Sequence, residues 1–259
     1  MAAGRVVHNT VQYSTVQHNT AQHSTALHNT TQQNKLDCCY MKIKFILAAL
    51  LASFGVSAQV QVQAQTLEKM QWFNEPEEYR IKGGVLEMEV PAQCDYWRIS
   101  HYGFTVDDGP FLYATYGGEF EAKIKVSGDY KERFDQAGMM IRQDHENYVK
   151  FGIEFVDGKF NISAVVTHQT SDWSVIQLEK AIPYIWLKAV RRLDAIELFY
   201  SFDDKEYIMM RTLWMQDNCP LQVGPMAACP DGQGFKAVFS DFKVKHLPDR
   251  RRLEWLKNN

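Results

Sequence analysis

The chain is poor in cysteine, with five in 259 residues. That is too few to frame a fold of this size with disulfides. No C-x-x-C pair occurs, which removes zinc knuckles and dithiol redox motifs. Cations are not in excess either: 28 Lys and Arg stand against 31 Asp and Glu, a formal charge of −3. A nucleic-acid partner, which needs a basic face to replace phosphate counterions, is therefore not expected. A G-x-S-x-G elbow, an H-E-x-x-H zinc motif and a Walker loop are all missing. No apolar run reaches the roughly 20 residues that span a bilayer. From these absences no catalytic residue, metal or cofactor is expected, and no membrane span.

What is present begins with a biased leader. Residues 6–35 divide into pentads of the type VQHNT and AQHST. A period of five matches neither the helix nor the strand, and the composition of His, Gln, Asn, Ser and Thr has little to bury. Residues 1–40 are thus expected to be disordered. Two readings compete: a metal-binding array of His8, His18, His23 and His28, or translated repetitive sequence upstream of a start at Met41. Nothing fixes these imidazoles in a coordination geometry, which favours the second. From Met41 the sequence has a basic start (Lys42, Lys44), an apolar run from Phe45 to Val56, and a small-x-small site at Val56-Ser57-Ala58. That is the form of a signal peptide over residues 41–58, and it implies export to the periplasm or the medium. Its loss leaves Gln59 as the mature N-terminus and Cys94, Cys219 and Cys229 as an odd set of thiols.

From Trp72 onward the dominant period is two. Val149, Phe151, Ile153 and Phe155 share one face of a strand, and Lys150, Gly152 and Glu154 the other. Asp157-Gly158 supplies a hairpin turn, and residues 159–167 alternate again. Further strands are expected at 79–82, 85–90, 97–100, 118–127, 137–143, 173–179, 185–192, 195–202, 206–214, 221–228 and 235–246. Helical periodicity is nearly absent, apart from a short helix or tail over residues 250–259. About thirteen strands with no alternating helices indicate an all-β antiparallel sandwich or barrel. No Pro, Gly or Ser linker interrupts it, so a single domain over 66–249 is expected. Trp186, Phe199 and Trp214 lie within alternating strands and are expected in the core.

The stretches Gln136-Ala-Gly-Met-Met-Ile-Arg142, Tyr148-Val-Lys-Phe-Gly-Ile-Glu-Phe-Val-Asp-Gly158 and Val165-Val-Thr-His-Gln-Thr-Ser-Asp-Trp-Ser174 follow one another. Trp186-Leu-Lys-Ala-Val-Arg-Arg192, Tyr200-Ser-Phe-Asp203, Val223-Gly-Pro-Met-Ala-Ala228 and Phe235-Lys-Ala-Val-Phe-Ser-Asp-Phe242 continue the order. Together, over about residues 70–246, they resemble the regulation-of-enolase-like family, a domain of unknown function numbered 1349. The resemblance implies a concanavalin A-like jelly-roll of two curved antiparallel sheets. It implies no activity, because this fold hosts lectins, glucanases and inert modules alike.

Because glucanases share this fold, sugar chemistry is the first class the acids must meet. Glucanases of this fold set acids on one strand as E-x-D-x-(x)-E, and retaining hydrolysis needs two carboxyls about 5–5.5 Å apart. Here Glu154-Phe-Val-Asp157 puts its acids on opposite faces. Glu119 and Glu121 share a face with Lys123 and Lys125, which reads as a solvated charged row. A calcium site could draw on Asp107, Asp108 and Asp144 only generically. A binding face is better founded. With the apolar residues turned inward, Arg142, Lys150, Glu154 and Thr167 project onto a concave outer surface. A rim loop over 167–174 would add Ser171, Asp172 and Trp173, an apolar plate beside polar groups, and Trp97 could line the same groove. The expected role is a non-catalytic module binding a carbohydrate or glycoconjugate. The alternatives are a divergent glycoside hydrolase or lyase using Glu154, and a structural or interaction module with no small ligand. Arg142 and Glu154 could instead form a cross-strand ion pair.

Overall fold

The computed structural model of the chain describes residues 66–258. The pentads and the leader at 41–58 lie outside the described residues. After a 3-10 turn at Leu67–Lys69 come β1 (Gln71–Phe73), β2 (Tyr79–Lys82), β3 (Val85–Val90) and β4 (Tyr96–Arg98). Next are β5 (Thr105–Asp107), β6 (Phe111–Tyr116), β7 (Phe120–Gly128) and β8 (Gln136–Arg142). The middle holds β9 (Asn147–Val156), β10 (Lys159–His168), β11 (Thr170–Gln177) and β12 (Ile185–Arg192). The chain closes with β13 (Ala195–Ser201), β14 (Ile208–Trp214), β15 (Leu221–Ala228), β16 (Phe235–His246) and helix α1 (Arg250–Asn258). No helix among the described residues is long and apolar enough to cross a membrane.

Two seven-stranded antiparallel sheets result. The front sheet has the order β1-β6-β15-β8-β9-β10-β11, and the back sheet β14-β13-β12-β7-β16-β3-β2. The expected all-β sandwich is thus observed. Val149, Phe151, Ile153, Ile162, Ala164 and Val166 of the front sheet join Ile124, Leu187, Leu198 and Phe239 of the back sheet in one core. Each strand contributes its alternate residues, so the period of two in the sequence is the period of burial.

The β9–β10 hairpin forms in the expected register, with Val156 opposite Lys159 and Ile153 opposite Ile162. Its turn residues Asp157 and Gly158 both have positive φ, at 49° and 76°, as a type I′ turn demands. Three strands are additional to the expected set: β1, β5 and β6. In β6 Leu112, Ala114 and Tyr116 are buried between the less buried Tyr113 and Thr115, but the sequence Phe111-Leu-Tyr-Ala-Thr-Tyr116 carries little apolar–polar contrast to mark that alternation.

The structure corrects the placement of three aromatics. Trp186 and Phe199 are half-buried on the outer face of the back sheet, and Trp214 is 56% exposed. In β12 it is Ile185, Leu187 and Ala189 that face inward, which turns Trp186 outward by parity. Lysines lie over this outer aromatic row: Lys123 is 5.0 Å from the Trp186 ring centre and Lys188 4.8 Å from that of Phe199. The charged row begins at Glu121; Glu119 precedes β7, is buried and holds Arg192 at 2.5 Å.

The three described cysteines are free thiols. Cys94 and Cys229 face each other in an isolated bridge, where the Cys229 N–H donates to the Cys94 carbonyl at 3.0 Å. Burial pushes the Cys94 thiol up to about 12 and that of Cys229 to about 11, so neither is a thiolate at neutral pH.

Candidate functional site

The outward residues of the front sheet fall into four rows, set by the strand registers. The first runs Gln222, Arg142, Tyr148, Thr167, Ser171. The second runs Gly224, Met140, Lys150, Val165, Trp173. The third is Met226, Gly138, Gly152, Ser163, Val175, and the fourth Ala228, Gln136, Glu154, Asn161, Gln177.

A small hairpin, β4–β5, crosses this face. Beneath it Tyr96, Phe111, Met140, Tyr148 and Met226 form a second apolar cluster. The polar groups of the first row secure the hairpin. Arg142 makes a two-pronged ion pair with Asp107, both bonds 2.6 Å, and lies 4.6 Å from the Phe73 ring centre. Burial works against the guanidinium charge, but Asp107 outweighs it and holds the group above its ordinary value. The Ser171 hydroxyl accepts the Arg98 backbone N–H at 2.9 Å and bonds Thr167 Oγ1 at 2.9 Å. In the second row Lys150 Nζ meets Asp95 at 2.8 Å.

The uncovered part of the face is a pocket of about 250 Å³. Lys150, Glu154, Gln136, Val165 and Trp173 line it from the sheet. Asp95, Trp97, Tyr102 and Phe104 come from the hairpin, and Arg133, Phe134, Pro230 and Asp231 from two loops. The aromatics associate at its walls: Tyr102 stacks on Phe104 with ring centres 5.6 Å apart and meets Trp97 edge-on at 5.5 Å, while Phe134 meets Trp173 at 6.1 Å. Trp173 is 37% exposed, and its indole N–H lies 2.8 Å from Glu154 Oε2 and 3.1 Å from Ser163 Oγ.

Burial raises the Glu154 carboxyl above its usual range; Lys150 and the bonds from Ser163 and Trp173 oppose that, and Asp95 adds to it. The two pocket cations are paired, Lys150 with Asp95 at 2.8 Å and Arg133 with Asp157 at 3.6 Å. Among the described residues no group of three or more His, Cys, Asp or Glu could hold a metal ion.

Of the eight residues singled out in the sequence, Lys150, Glu154, Trp173 and Trp97 line the pocket. Arg142, Thr167 and Ser171 face the same side but hold the hairpin instead, and Arg142 pairs with Asp107, not Glu154. Asp172 is on the opposite side, 3.2 Å from Arg211. The expected rim loop is a one-residue turn at Gln169 (φ 63°), so β11 starts at Thr170 and Asp172 takes the inward parity. Sequence reasoning missed Asp95, Phe104, Phe134 and Gln136. The only signal was the aromatic run Trp97, Tyr102, Phe104 before the Asp107-Asp108-Gly109-Pro110 turn.

Residues 72–247 match the family described as "Protein of unknown function (DUF1349)". The "Regulation of enolase protein 1" of Saccharomyces cerevisiae is 32% identical over 185 residues, covering 71% of this chain and 93% of the relative. An uncharacterized protein of Emericella nidulans is 26% identical over 121 residues, 44% of this chain and 60% of its own length. Among solved structures, a functionally unknown protein from Saccharomyces cerevisiae superposes with TM-score 0.69 at 32% identity, covering 71% of this chain and 100% of that one. A xylan β-1,4-xylosidase from Bacillus halodurans superposes with TM-score 0.55 at 14% identity, over 71% of this chain and 39% of that enzyme, a likeness of fold alone.

Proposed function

The chain belongs to the family of proteins of unknown function that matches residues 72–247, and on that premise we propose that it is a carbohydrate-binding β-sandwich whose ligand sits in the pocket beside Trp173. The observation that carries this reading is the lining: five aromatic side chains with Lys150, Glu154, Asp95 and Gln136 among them, in about 250 Å³. Sugars offer an apolar C–H face to a ring and hydroxyls to charged donors and acceptors, and such a lining meets both needs. The leader-like segment at 41–58 belongs to the same reading, which places the module outside the cytoplasm; N-terminal sequencing of the exported chain tests that part.

Titration calorimetry against a panel of neutral and acidic oligosaccharides tests the binding. Saturable heat from at least one sugar, lost in Trp173→Ala, supports it. Silence across the panel would instead favour a structural module.

A second reading rests on Glu154. A buried carboxyl held above its ordinary value, in one pocket with Asp95, has the property of a general acid beside a second acid. Bond cleavage in the same panel, abolished by Glu154→Gln, would replace binding with catalysis.

A further inference from the structure

Within that binding reading, we infer that the pocket recognises the end of a neutral saccharide chain, one or two rings deep, and does not grip a chain along its length. The inference rests on how the front sheet is obstructed, an observation separate from the aromatic lining.

A groove that reads a polymer from the side must let the chain enter at one end and leave at the other. The first row of this face does not permit that. The β4–β5 hairpin lies across it, with Arg142 locked to Asp107 at 2.6 Å and Ser171 accepting the Arg98 N–H at 2.9 Å. Arg98 adds bonds to the Gln169 carbonyl at 3.0 Å and to Glu146 at 2.8 Å. Asn74 ties the far strand of the hairpin through the carbonyls of Asp107 and Gly109, both at 3.0 Å. Tyr96 of the hairpin and Tyr148 of the sheet under it are 0% and 1% exposed, so no channel runs between them.

The opposite end is walled as well. Phe134 and Arg133 rise beside the fourth row, with Arg133 over the Phe134 ring at 4.4 Å, and Pro230 and Asp231 close a third side. What remains is a bowl with its floor at Lys150 and Glu154. Its volume of about 250 Å³ is below the roughly 300–1,000 Å³ of drug-sized sites, which fits one or two sugar rings.

The wall charges select among sugars. Lys150 is already matched by Asp95 and is 3% exposed, so it offers no free cation to a carboxylated ring. With Asp95 held by Lys150, the pocket keeps two carboxylates, Glu154 and Asp231, against one cation, Arg133, which itself lies 3.6 Å from Asp157, so the balance opposes a uronic acid. A neutral terminal ring meets no such penalty.

Length dependence separates this inference from the reading beneath it. Calorimetry on the full chain with xylose and glucose oligomers of one to six units is expected to give an affinity that levels off by the second unit. The molar stoichiometry should stay at one protein per chain, and capping of one chain end should abolish binding. Glucuronic acid oligomers should bind at least about tenfold more weakly. An affinity that climbs about tenfold or more from two units to six, or several copies of the protein on one long chain, overturns end recognition and leaves the binding reading standing. If no neutral oligomer of any length binds, the binding reading falls and the inference falls with it.

Discussion

Lys150 Nζ lies 2.8 Å from Asp95 Oδ1, joining the middle of the front sheet to the hairpin that crosses it. The lysine is 3% exposed and the aspartate 15%. Removing one partner of a buried pair costs about 3–5 kcal/mol when nothing else compensates the remaining charge; here Glu154 beside Lys150 offsets part of that, and replacing both partners removes the pair's own charges. Asp95→Ala should therefore destabilise by about 3 kcal/mol in urea unfolding. The double variant Asp95→Ala, Lys150→Met should be less damaged than the sum of the single variants. Additive losses would show that the pair is not coupled.

Glu154 gives a pH signature. Its carboxyl is 5% exposed, and burial sets its folded value above the ordinary 4.5. Between those two values the folded state holds the proton that the unfolded state has lost, so stability falls as pH rises through the interval. Glu154→Gln has no such proton. Its stability relative to the parent should be unchanged below the ordinary value of 4.5, rise as pH climbs above it, and level off once the folded carboxyl has ionised. A difference that is flat from pH 4 to 8 would mean that Glu154 titrates normally.

Gly138 and Gly152 stand directly opposite each other in the third row of the front sheet. A Cβ on Gly138 would sit 2.0 Å from the Phe151 carbonyl oxygen, and one on Gly152 2.2 Å from that of Ala137. Both obstacles are backbone and cannot swing aside. Gly138→Ala should cost about 3 kcal/mol, the upper part of the overpacking range, and lower the thermal midpoint accordingly. Gly84→Ala puts its new methyl in open space but at φ 75°. It should cost only about 1–2 kcal/mol through backbone strain.

Trp173 separates binding from folding. Being 37% exposed on an edge strand, it can be truncated without opening the core. Trp173→Ala should weaken saccharide binding about tenfold or more, equivalent to about 1.4 kcal/mol, with a small change in unfolding midpoint. Trp173→Phe should keep most of the ring contact and lose the N–H bond to Glu154. A Trp173→Ala protein that unfolds would assign this side chain to stability instead.

The β9–β10 hairpin was legible because two independent signals agreed, strict alternation and a turn dipeptide able to take positive φ. The outward set Arg142, Lys150, Glu154 and Thr167 was legible for the same reason. What those residues do was not. Arg142 and Lys150 find their partners at Asp107 and Asp95, 35 and 55 residues away in sequence, on either side of the short strand expected at 97–100. Asp172 was misplaced because a single left-handed residue, Gln169, makes the turn. Without glycine there, nothing marks where the strand restarts, and a one-residue slip exchanges its faces. Trp214 and Trp186 show the limit of the period of two. It tells which residues share a face, but when both faces carry large side chains it does not tell which one is inside.

The crossing hairpin is fastened by the residues at its base, while its tip from Ile99 to Phe104 supplies two of the pocket's rings, Tyr102 and Phe104, 47% and 45% exposed. Asp95 at the base both anchors the hairpin and lines the pocket, whereas Tyr102 and Phe104 at the tip contribute ring surface alone. Exchanging residues 99–104 alone would change the wall of the pocket while both sheets and the bonds at the hairpin base stay as they are.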